Sequence, residues 1–165
     1  PSALITNKEL IIESAKANIP IIISTGMSTL EEIDSAVDSI IKNNDRPHRN
    51  LVIMHTNSSY PTPKNELNLN VIPMLKKRYA HTIGYSGHEE DLEPTVIAIA
   101  LGAKVIERHI TLSHNMWGTD QKASLEVHAM HMLKKRCQDV NVILGTDEKR
   151  VTESEIPIRK KLRGV

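Results

Sequence analysis

The chain has 165 residues and a net charge of +1, and 39% of its residues are hydrophobic, which is sufficient for one globular domain with a buried core. The near-neutral charge gives no general attraction to nucleic acid or to an anionic membrane, and no apolar run reaches the roughly 18 residues of a membrane span. The single cysteine, Cys137, cannot form a disulfide within the chain, which favours a reducing, cytoplasmic compartment.

Helical and strand-like segments alternate along the sequence. Apolar residues at helical spacing indicate helices, and short β-branched runs indicate strands buried on both faces. In chain order the pattern predicts helix 7–18, strand 19–25, a helix within 26–43, a polar loop 42–50, strand 50–56, helix 69–79, strand 81–86, helix 94–102, strand 104–110, helix 125–140 and helix 153–162. This alternation predicts a parallel sheet with right-handed crossovers.

Polar residues mark several of the predicted helix starts. The predicted signals are a capping box at Ser28 and Glu31, a second at Thr152 and Glu155, a cap at Ser124, and an acidic run at 89–91 in which Glu90 and Asp91 are solvated helix-entry charges. These signals place the helix starts, and they carry no chemistry of their own.

Two α/β architectures contain four such strands. A doubly wound open sheet would be complete in this length, whereas a (β/α)8 barrel needs roughly 250 residues, so the chain would supply about half of one. In both architectures the active site lies at the carboxyl ends of the parallel strands. The residues at those ends are therefore the candidates for function.

Each predicted strand is aliphatic in its middle and polar at its carboxyl end. In particular, His88 follows the strand 81–86, and His109 lies at the end of the strand 104–110. Since neighbouring strands lie about 4.8 Å apart, two imidazoles at one edge can converge on a single ion, and neutral imidazole is a common ligand for Mn, Fe and Zn. From spacing alone, hydrogen-bonded structural histidines explain the pattern at least as well as a metal site does.

Hydroxyl and amide groups at the same edge are candidates for binding a phosphate group, and Ser2 would join them if a strand preceded it. They are Ser2, Ser24, Asn57, Ser58 and Ser86. Ordinary turn chemistry also places Ser and Asn in such loops, so these residues alone do not establish a phosphate site. The chain has no P-loop or GxGxxG pattern, which argues against a nucleotide or NAD site.

The loop SHNMWGTDQKASLE combines a large ring with a flexible glycine. Asp120, Gln121 and Lys122 are candidates for lining a sugar-sized pocket. The alternative is a solvated loop in which Trp117 is the local anchor.

Five motifs occur in an order and spacing that resemble the sialic acid synthase family. They are ISTGMSTLEEI, HTNSSYPTP, GYSGHE, IERHITL and NMWGTDQKASLE, and together they span almost the whole chain. Members of this family condense phosphoenolpyruvate with N-acetylmannosamine or a related N-acylated aldose to give nonulosonic (sialic) acids. The resemblance implies a TIM-type (β/α)8 barrel, with residues 1–165 forming its second half, strands five to eight.

The resemblance also implies roles for particular residues. The implied roles are metal binding for His88 and His109, phosphoenolpyruvate binding for Ser2, Ser24 and Ser86, and catalysis at the sugar acceptor for Tyr60 and Asp120, with Ser58 at a position that often carries Asn or Ser. The expected metal is a divalent ion, Mn2+, which would polarise the sugar aldehyde as a Lewis acid. C3 of phosphoenolpyruvate would attack that carbon, water would add at C2, and phosphate would leave by C–O cleavage.

The sequence also departs from the family pattern. Leu4 stands where the family usually has a glutamate near the reacting centre. The phosphate-binding lysines of the first half-barrel are not among these residues, and neither is the antifreeze-like domain, which lends an arginine to a partner's site. We therefore expect the 165 residues alone to have little or no synthase activity, and we expect the full-length protein to be a cytoplasmic homodimer without nucleic-acid or membrane partners.

Two other functions remain open at this point. One is a different metal-dependent aldolase or isomerase barrel. The other is a noncatalytic half-barrel that binds a ligand or assembles with itself, because four strands of a barrel leave two exposed sheet edges.

Overall fold

A computed structural model describes residues 1–46 and 51–164 of the protein. The main sheet has four strands: β1 (Ile21–Ser24), β2 (Leu51–Thr56), β3 (Thr82–Gly87) and β4 (Val105–Arg108). The helices are α1 (Lys8–Lys16), α2 (Leu30–Asn43), α3 (Val71–Arg78), α4 (Glu93–Ala100), α5 (Val127–Leu144) and α6 (Glu155–Arg163). Two short strands, β5 (Ile110–Thr111) and β6 (Leu125–Glu126), form a separate parallel pair.

The four main strands lie side by side in the order in which they occur in the chain. Each pair, β1 with β2, β2 with β3 and β3 with β4, is parallel, and α2, α3 and α4 lie in the successive crossovers. A doubly wound sheet reverses its strand order at a switch point, whereas a barrel does not. The sequential order therefore confirms the predicted half-barrel and excludes the doubly wound alternative for these strands.

The helices cover one face of the sheet. In β1, Ile23 is 5% exposed and belongs to the core, whereas its neighbour Ile22, on the opposite face, is 51% exposed. Helix α2 buries Ile33, Val37 and Ile40 in the same core. The aliphatic core thus lies between the sheet and the helices.

The first predicted capping box is wrong by one residue. Thr29, not Ser28, caps α2: its side chain accepts a hydrogen bond from the Glu32 amide at 3.3 Å, and the Glu32 carboxylate accepts one from the Thr29 amide at 2.8 Å. The Ser28 hydroxyl instead donates to the Gly26 carbonyl. Both residues fit the cap by type, so composition does not distinguish them.

The fourth predicted strand, 104–110, is interrupted at its histidine. Strand β4 ends at Arg108, and the carbonyl of His109 accepts a hydrogen bond from the amide of Leu125 at 2.8 Å, where β5 begins to pair with β6. This pairing draws 125–126 into a strand. The prediction that Ser124 caps the following helix is therefore wrong, because α5 begins at Val127 and the Ser124 hydroxyl donates to the Asp120 carbonyl.

Two further boundaries differ slightly from prediction. The second predicted capping box forms only in part, because the Glu155 carboxylate accepts a hydrogen bond from the Thr152 amide but the Thr152 hydroxyl donates to that carboxylate instead of accepting from the Glu155 amide. The N-cap is Ser154, and α6 begins at Glu155 rather than at 153. Residues 47–50 of the predicted loop 42–50 lie outside the described residues. Residue 50 is also the first residue of the predicted strand 50–56. Over the described ranges, no helix has the length and apolar character needed to cross a membrane.

Candidate active site

The carboxyl ends of β3 and β4 bring two histidines together. His88 directly follows β3 and His109 directly follows β4, and their ring centroids lie 5.2 Å apart with the ring planes at 83°. Gly87 and Arg108 are neighbours in the strand register, so the two histidines occupy the next positions along adjacent strands. The predicted convergence at one edge of the sheet is thus present.

Each histidine has a partner for one ring nitrogen. His88 is 4% exposed, and its Nδ1 lies 2.6 Å from the carbonyl oxygen of Asn57. Since a carbonyl only accepts, Nδ1 carries the proton and Nε2 keeps its lone pair. The Nδ1 of His109 lies 3.6 Å from a carboxylate oxygen of Asp120. Burial lowers the pKa of His88, which favours the neutral, metal-ligating form.

This donor set fits a divalent ion that takes its remaining ligands from substrate and water. A metal-bound histidine usually donates its other N–H to a carbonyl or a carboxylate, and His88 and His109 face one partner of each kind. Within residues 1–46 and 51–164, there is no group of three or more His, Cys, Asp or Glu side chains that could hold a metal ion. Two imidazoles are therefore the ligands that the described chain offers at this place.

Tyr60 covers the histidine pair. Its ring stacks on His88 with centroids 4.1 Å apart and planes at 25°, and it meets His109 edge-on at 5.4 Å. Burial raises the pKa of Tyr60, and the negative charges of Asp120 and Glu107 raise it further. The predicted residues Tyr60 and Asp120 therefore share one site with both histidines.

Ser86 lies at the same edge of the sheet, and it is paired with Glu107 in the register of β3 with β4. Its hydroxyl is almost fully buried and donates to the Glu107 carboxylate at 2.8 Å. Sequence reasoning gave Glu107 no role in this site. The sequence does contain a signal for Glu107: side chains alternate along a strand, and Glu107 and His109 are two residues apart, so they face the same side.

Two other predicted serines converge on Gly26, two residues after Ser24 at the end of β1. The Ser2 hydroxyl oxygen accepts a hydrogen bond from the Gly26 amide at 3.1 Å. A Cβ at Gly26 would overlap the Ser58 hydroxyl and lie 2.8 Å from that of Ser2. Only a residue without a side chain lets both hydroxyls approach this turn.

Asn57 uses its side chain inside its own loop. Its amide nitrogen donates to the Glu66 carbonyl at 3.3 Å, and its amide oxygen accepts from the Ser59 amide at 2.9 Å. Its main-chain carbonyl is the group that orients His88. The buried His55 likewise supports this loop through the Leu67 carbonyl, at 2.8 Å.

A cavity of about 810 Å3 lies between the carboxyl ends of β1 and β2 and the helices α2 and α3, and neither His88 nor His109 lines it. The loops after β1 and β2 line it, and it shares Asn57 and Ser58 with the predicted phosphate-binding set. The lining role of Asp120, Gln121 and Lys122 in the loop 113–124 stays a prediction. Trp117 is 99% exposed, so the alternative in which it is the local anchor of that loop is wrong. Gln121 holds that loop instead, by bonding to the Thr111 hydroxyl and the Trp117 carbonyl.

Beneath the histidines lies a buried ion pair that sequence reasoning did not identify. Glu89 and Arg108 are joined at 2.9 Å, and each side chain is 1% exposed. Glu89 also accepts a hydrogen bond from the Tyr85 hydroxyl at 2.8 Å. Burial, and then the negative charge of Glu89, raise the pKa of Tyr85.

The family model described as the NeuB family matches residues 1–149. The N,N'-diacetyllegionaminic acid synthase of Campylobacter jejuni is 39% identical over 94% of this chain and 46% of its own length. The N-acetylneuraminate-9-phosphate synthase of Homo sapiens is 34% identical over 91% of this chain and 41% of its own length.

A solved structure agrees with the fold. The N-acetylneuraminic acid (sialic acid) synthetase of Leptospira borgpetersenii superposes with a TM-score of 0.83 at 32% identity, covering 98% of this chain and 56% of that protein. The chain therefore spans about half the length of the proteins it matches.

Proposed function

The chain belongs to the NeuB family, and we propose that it supplies half of a catalytic barrel that condenses phosphoenolpyruvate with an N-acylated aldose to form a nonulosonic acid. The relatives named as legionaminic acid and N-acetylneuraminate-9-phosphate synthases support this reaction class. They favour it over another metal-dependent aldolase or isomerase.

One observation carries the proposal: His88 and His109 converge 5.2 Å apart at the carboxyl edge of the sheet. We propose that they hold a divalent ion, Mn2+, with the Asn57 carbonyl and Asp120 orienting the two rings. A metal bound here would supply Lewis acidity to the aldehyde of the acceptor. The proposed site residues are the ones predicted from the sequence.

The chain's own residues would orient the substrates around that ion. The ring of Tyr60, stacked on His88, would keep water from one side of the site. Asp120 lies near both His109 and Tyr60 and would accept a hydrogen bond from a sugar hydroxyl. These two residues are therefore proposed to contact the acceptor.

The hydroxyl groups would bind phosphoenolpyruvate. Ser2 and Ser58 meet at Gly26, and Ser24 ends β1 two residues before that glycine. Ser86, held by Glu107, and Asn57 complete the predicted set. In the reaction, C3 of phosphoenolpyruvate bonds to the aldehyde carbon, water adds at C2, and phosphate leaves as the C2–O bond breaks.

Leu4 cannot supply the carboxylate that the family usually has near the reacting centre. Its side chain is apolar and 40% exposed. We propose that the remaining charge comes from the other half of a complete barrel, in a homodimeric cytoplasmic enzyme without nucleic-acid or membrane partners. The 165 residues alone would then have little or no synthase activity.

The test is removal of each proposed ligand in the protein at its natural length. His88→Ala and His109→Ala should each abolish Mn2+ binding, measured by the loss of the free-Mn2+ signal in electron paramagnetic resonance. Each should also abolish phosphate release from phosphoenolpyruvate that depends on both sugar and Mn2+.

His128→Ala is the matched control, because the His128 side chain is 74% exposed and its ring nitrogen lies 3.7 Å from a carboxylate oxygen of Glu126. It should bind Mn2+ as the parent does. Equal metal content in all three variants would contradict the proposed site, and release of phosphate without any sugar would contradict the reaction.

A further inference from the structure

The two residues that flank the histidine pair form one buried contact. Glu89 follows His88 and Arg108 precedes His109, and their side chains meet at 2.9 Å with 1% exposure each. We infer that Glu89 and Arg108 are positioning residues, whose contact sets the separation and orientation of the two imidazoles. This inference rests on the proposed metal site and assigns the groups that hold it in shape.

Arg108 donates hydrogen bonds to main-chain carbonyls as well as to the Glu89 carboxylate. One guanidinium nitrogen donates to Glu89 Oε1 and, at 3.1 Å, to the Asp91 carbonyl; the other donates to the Glu89 carbonyl. The Thr95 hydroxyl accepts from the same guanidinium at 2.9 Å. Because two carbonyls of the turn after His88 are bound from β4, a shift of either strand end would break several charge-assisted hydrogen bonds.

The carboxylate is fixed from the other side. Tyr85 donates to its Oε2 at 2.8 Å and Thr95 to its Oε1 at 3.2 Å. A Cβ at Gly87 would lie 2.6 Å from one carboxylate oxygen and 2.9 Å from the other. The carboxylate therefore packs directly against the backbone that leads into His88, whose ring is held by the Asn57 carbonyl.

Stability alone does not explain such a pair. Two charges removed from water gain little over well-packed apolar side chains of the same size, whereas removal of one partner is costly. A pair that ties two strand ends together beside a candidate metal site is instead suited to fixing geometry. Groups behind metal-bound histidines typically change metal affinity about 10–100-fold when removed.

The experiment replaces both charges at once, so that neither is left alone. In Glu89→Gln with Arg108→Met, the glutamine amide can still bond to Tyr85 and Thr95, and methionine fills the space of the arginine stem. We expect this double variant to fold, with an unfolding midpoint near that of the parent. Its Mn2+ affinity, measured by paramagnetic resonance on the full-length protein, should fall at least tenfold.

The matched control is Asp34→Asn with Arg78→Met, which removes a pair of the same chemistry from the surface. It should leave Mn2+ affinity unchanged. Parental affinity in a folded Glu89→Gln/Arg108→Met protein would overturn the inference. Should that variant fail to fold, Arg108→Lys decides, because one ammonium cannot reach all four acceptors: a loss of affinity supports the inference, and parental affinity overturns it.

A second readout needs no metal. Nuclear Overhauser effects between the rings of His88, His109 and Tyr60 should be present in the parent and in the surface control, and weakened in the interior double variant. If the parent protein binds no Mn2+ but the double variant still loses these Overhauser effects, the proposed metal function is refuted and the positioning role is supported. Unchanged effects would overturn the positioning role itself.

Discussion

Among the described residues, the same type of three-residue arrangement occurs once at the surface and once in the interior. Each consists of a carboxylate that accepts hydrogen bonds from an arginine and from a tyrosine hydroxyl. The surface trio is Asp34, Arg78 and Tyr79, and the interior trio is Glu89, Arg108 and Tyr85. In both trios an arginine nitrogen lies 2.9 Å from a carboxylate oxygen. The trios differ in access to water and also in their other contacts, because Arg78 bonds to both oxygens of Asp34 whereas Arg108 also binds two carbonyls and Thr95.

Exposure changes what governs each charge. The side chains of Arg78 and Asp34 are 43% and 36% exposed, and the hydrogen bonds from Arg78 and Tyr79 lower the pKa of Asp34 to about 2. In the interior trio, burial is the first cause of the lowered pKa of Arg108. Hydrogen-bond partners therefore dominate the pKa shift of Asp34, whereas loss of water dominates that of Arg108.

Breaking one partner should show this difference most strongly. Arg108→Met leaves the Glu89 carboxylate buried without its counter-charge, so we expect the free energy of unfolding to fall by about 3–5 kcal/mol. Arg78→Met leaves Asp34 open to water and should have a much smaller effect. Urea-induced unfolding at pH 7, followed by circular dichroism, measures both. Equal losses for the two variants would refute the role assigned to burial.

The interior trio also shows what the sequence did not reveal. His88 and His109 were predictable because each follows a strand of a sequential parallel sheet, and strand ends lie at one edge. Glu89 begins an acidic run in which Glu90 and Asp91 were predicted to be solvated, and Glu89 itself was given no partner. Its burial depends on the side of the turn to which its side chain points, and local sequence does not specify that direction.

A stronger signal was present at Arg108. It lies between Glu107 and His109, so alternation along β4 directs it to the opposite side, toward the helices. A charged side chain there requires a buried partner, which predicts that an ion pair exists without identifying Glu89. The start of α5 at Val127 was missed for a related reason, because the pairing of β5 with β6 is a contact between segments distant in sequence.

The packing of the interior carboxylate gives a second, smaller test. Gly87→Ala would place a methyl group 2.6 Å from a carboxylate oxygen of Glu89, so the trio would have to shift. We expect a loss of about 1–3 kcal/mol in the free energy of unfolding, as for other overpacked sites. Calorimetric unfolding of the variant and parent measures this, and an unchanged midpoint would show that the carboxylate has room to move.

The smallest expected effect concerns the surface trio and its dependence on pH. The pKa of Asp34 is lowered from 3.8 to about 2 by the hydrogen bonds from Arg78 and Tyr79. Because the folded-state pKa is the lower one, the ionised carboxylate stabilises the fold above about pH 4, and this contribution is lost as pH falls toward 2. Water and salt screen the exposed pair, so the contribution is modest.

The measurement is the unfolding midpoint of the parent and of Asp34→Asn between pH 7 and pH 2. The difference between the two unfolding midpoints should be constant near neutral pH and should disappear as the pH falls from about 4 to 2. It should also be smaller in 1 M NaCl. The loss caused by Arg108→Met, in contrast, should change little with salt, because the interior charges are shielded from ions. A salt-dependent loss at Arg108 would mean that solvent reaches the interior trio, and the two trios would then differ in degree rather than in kind.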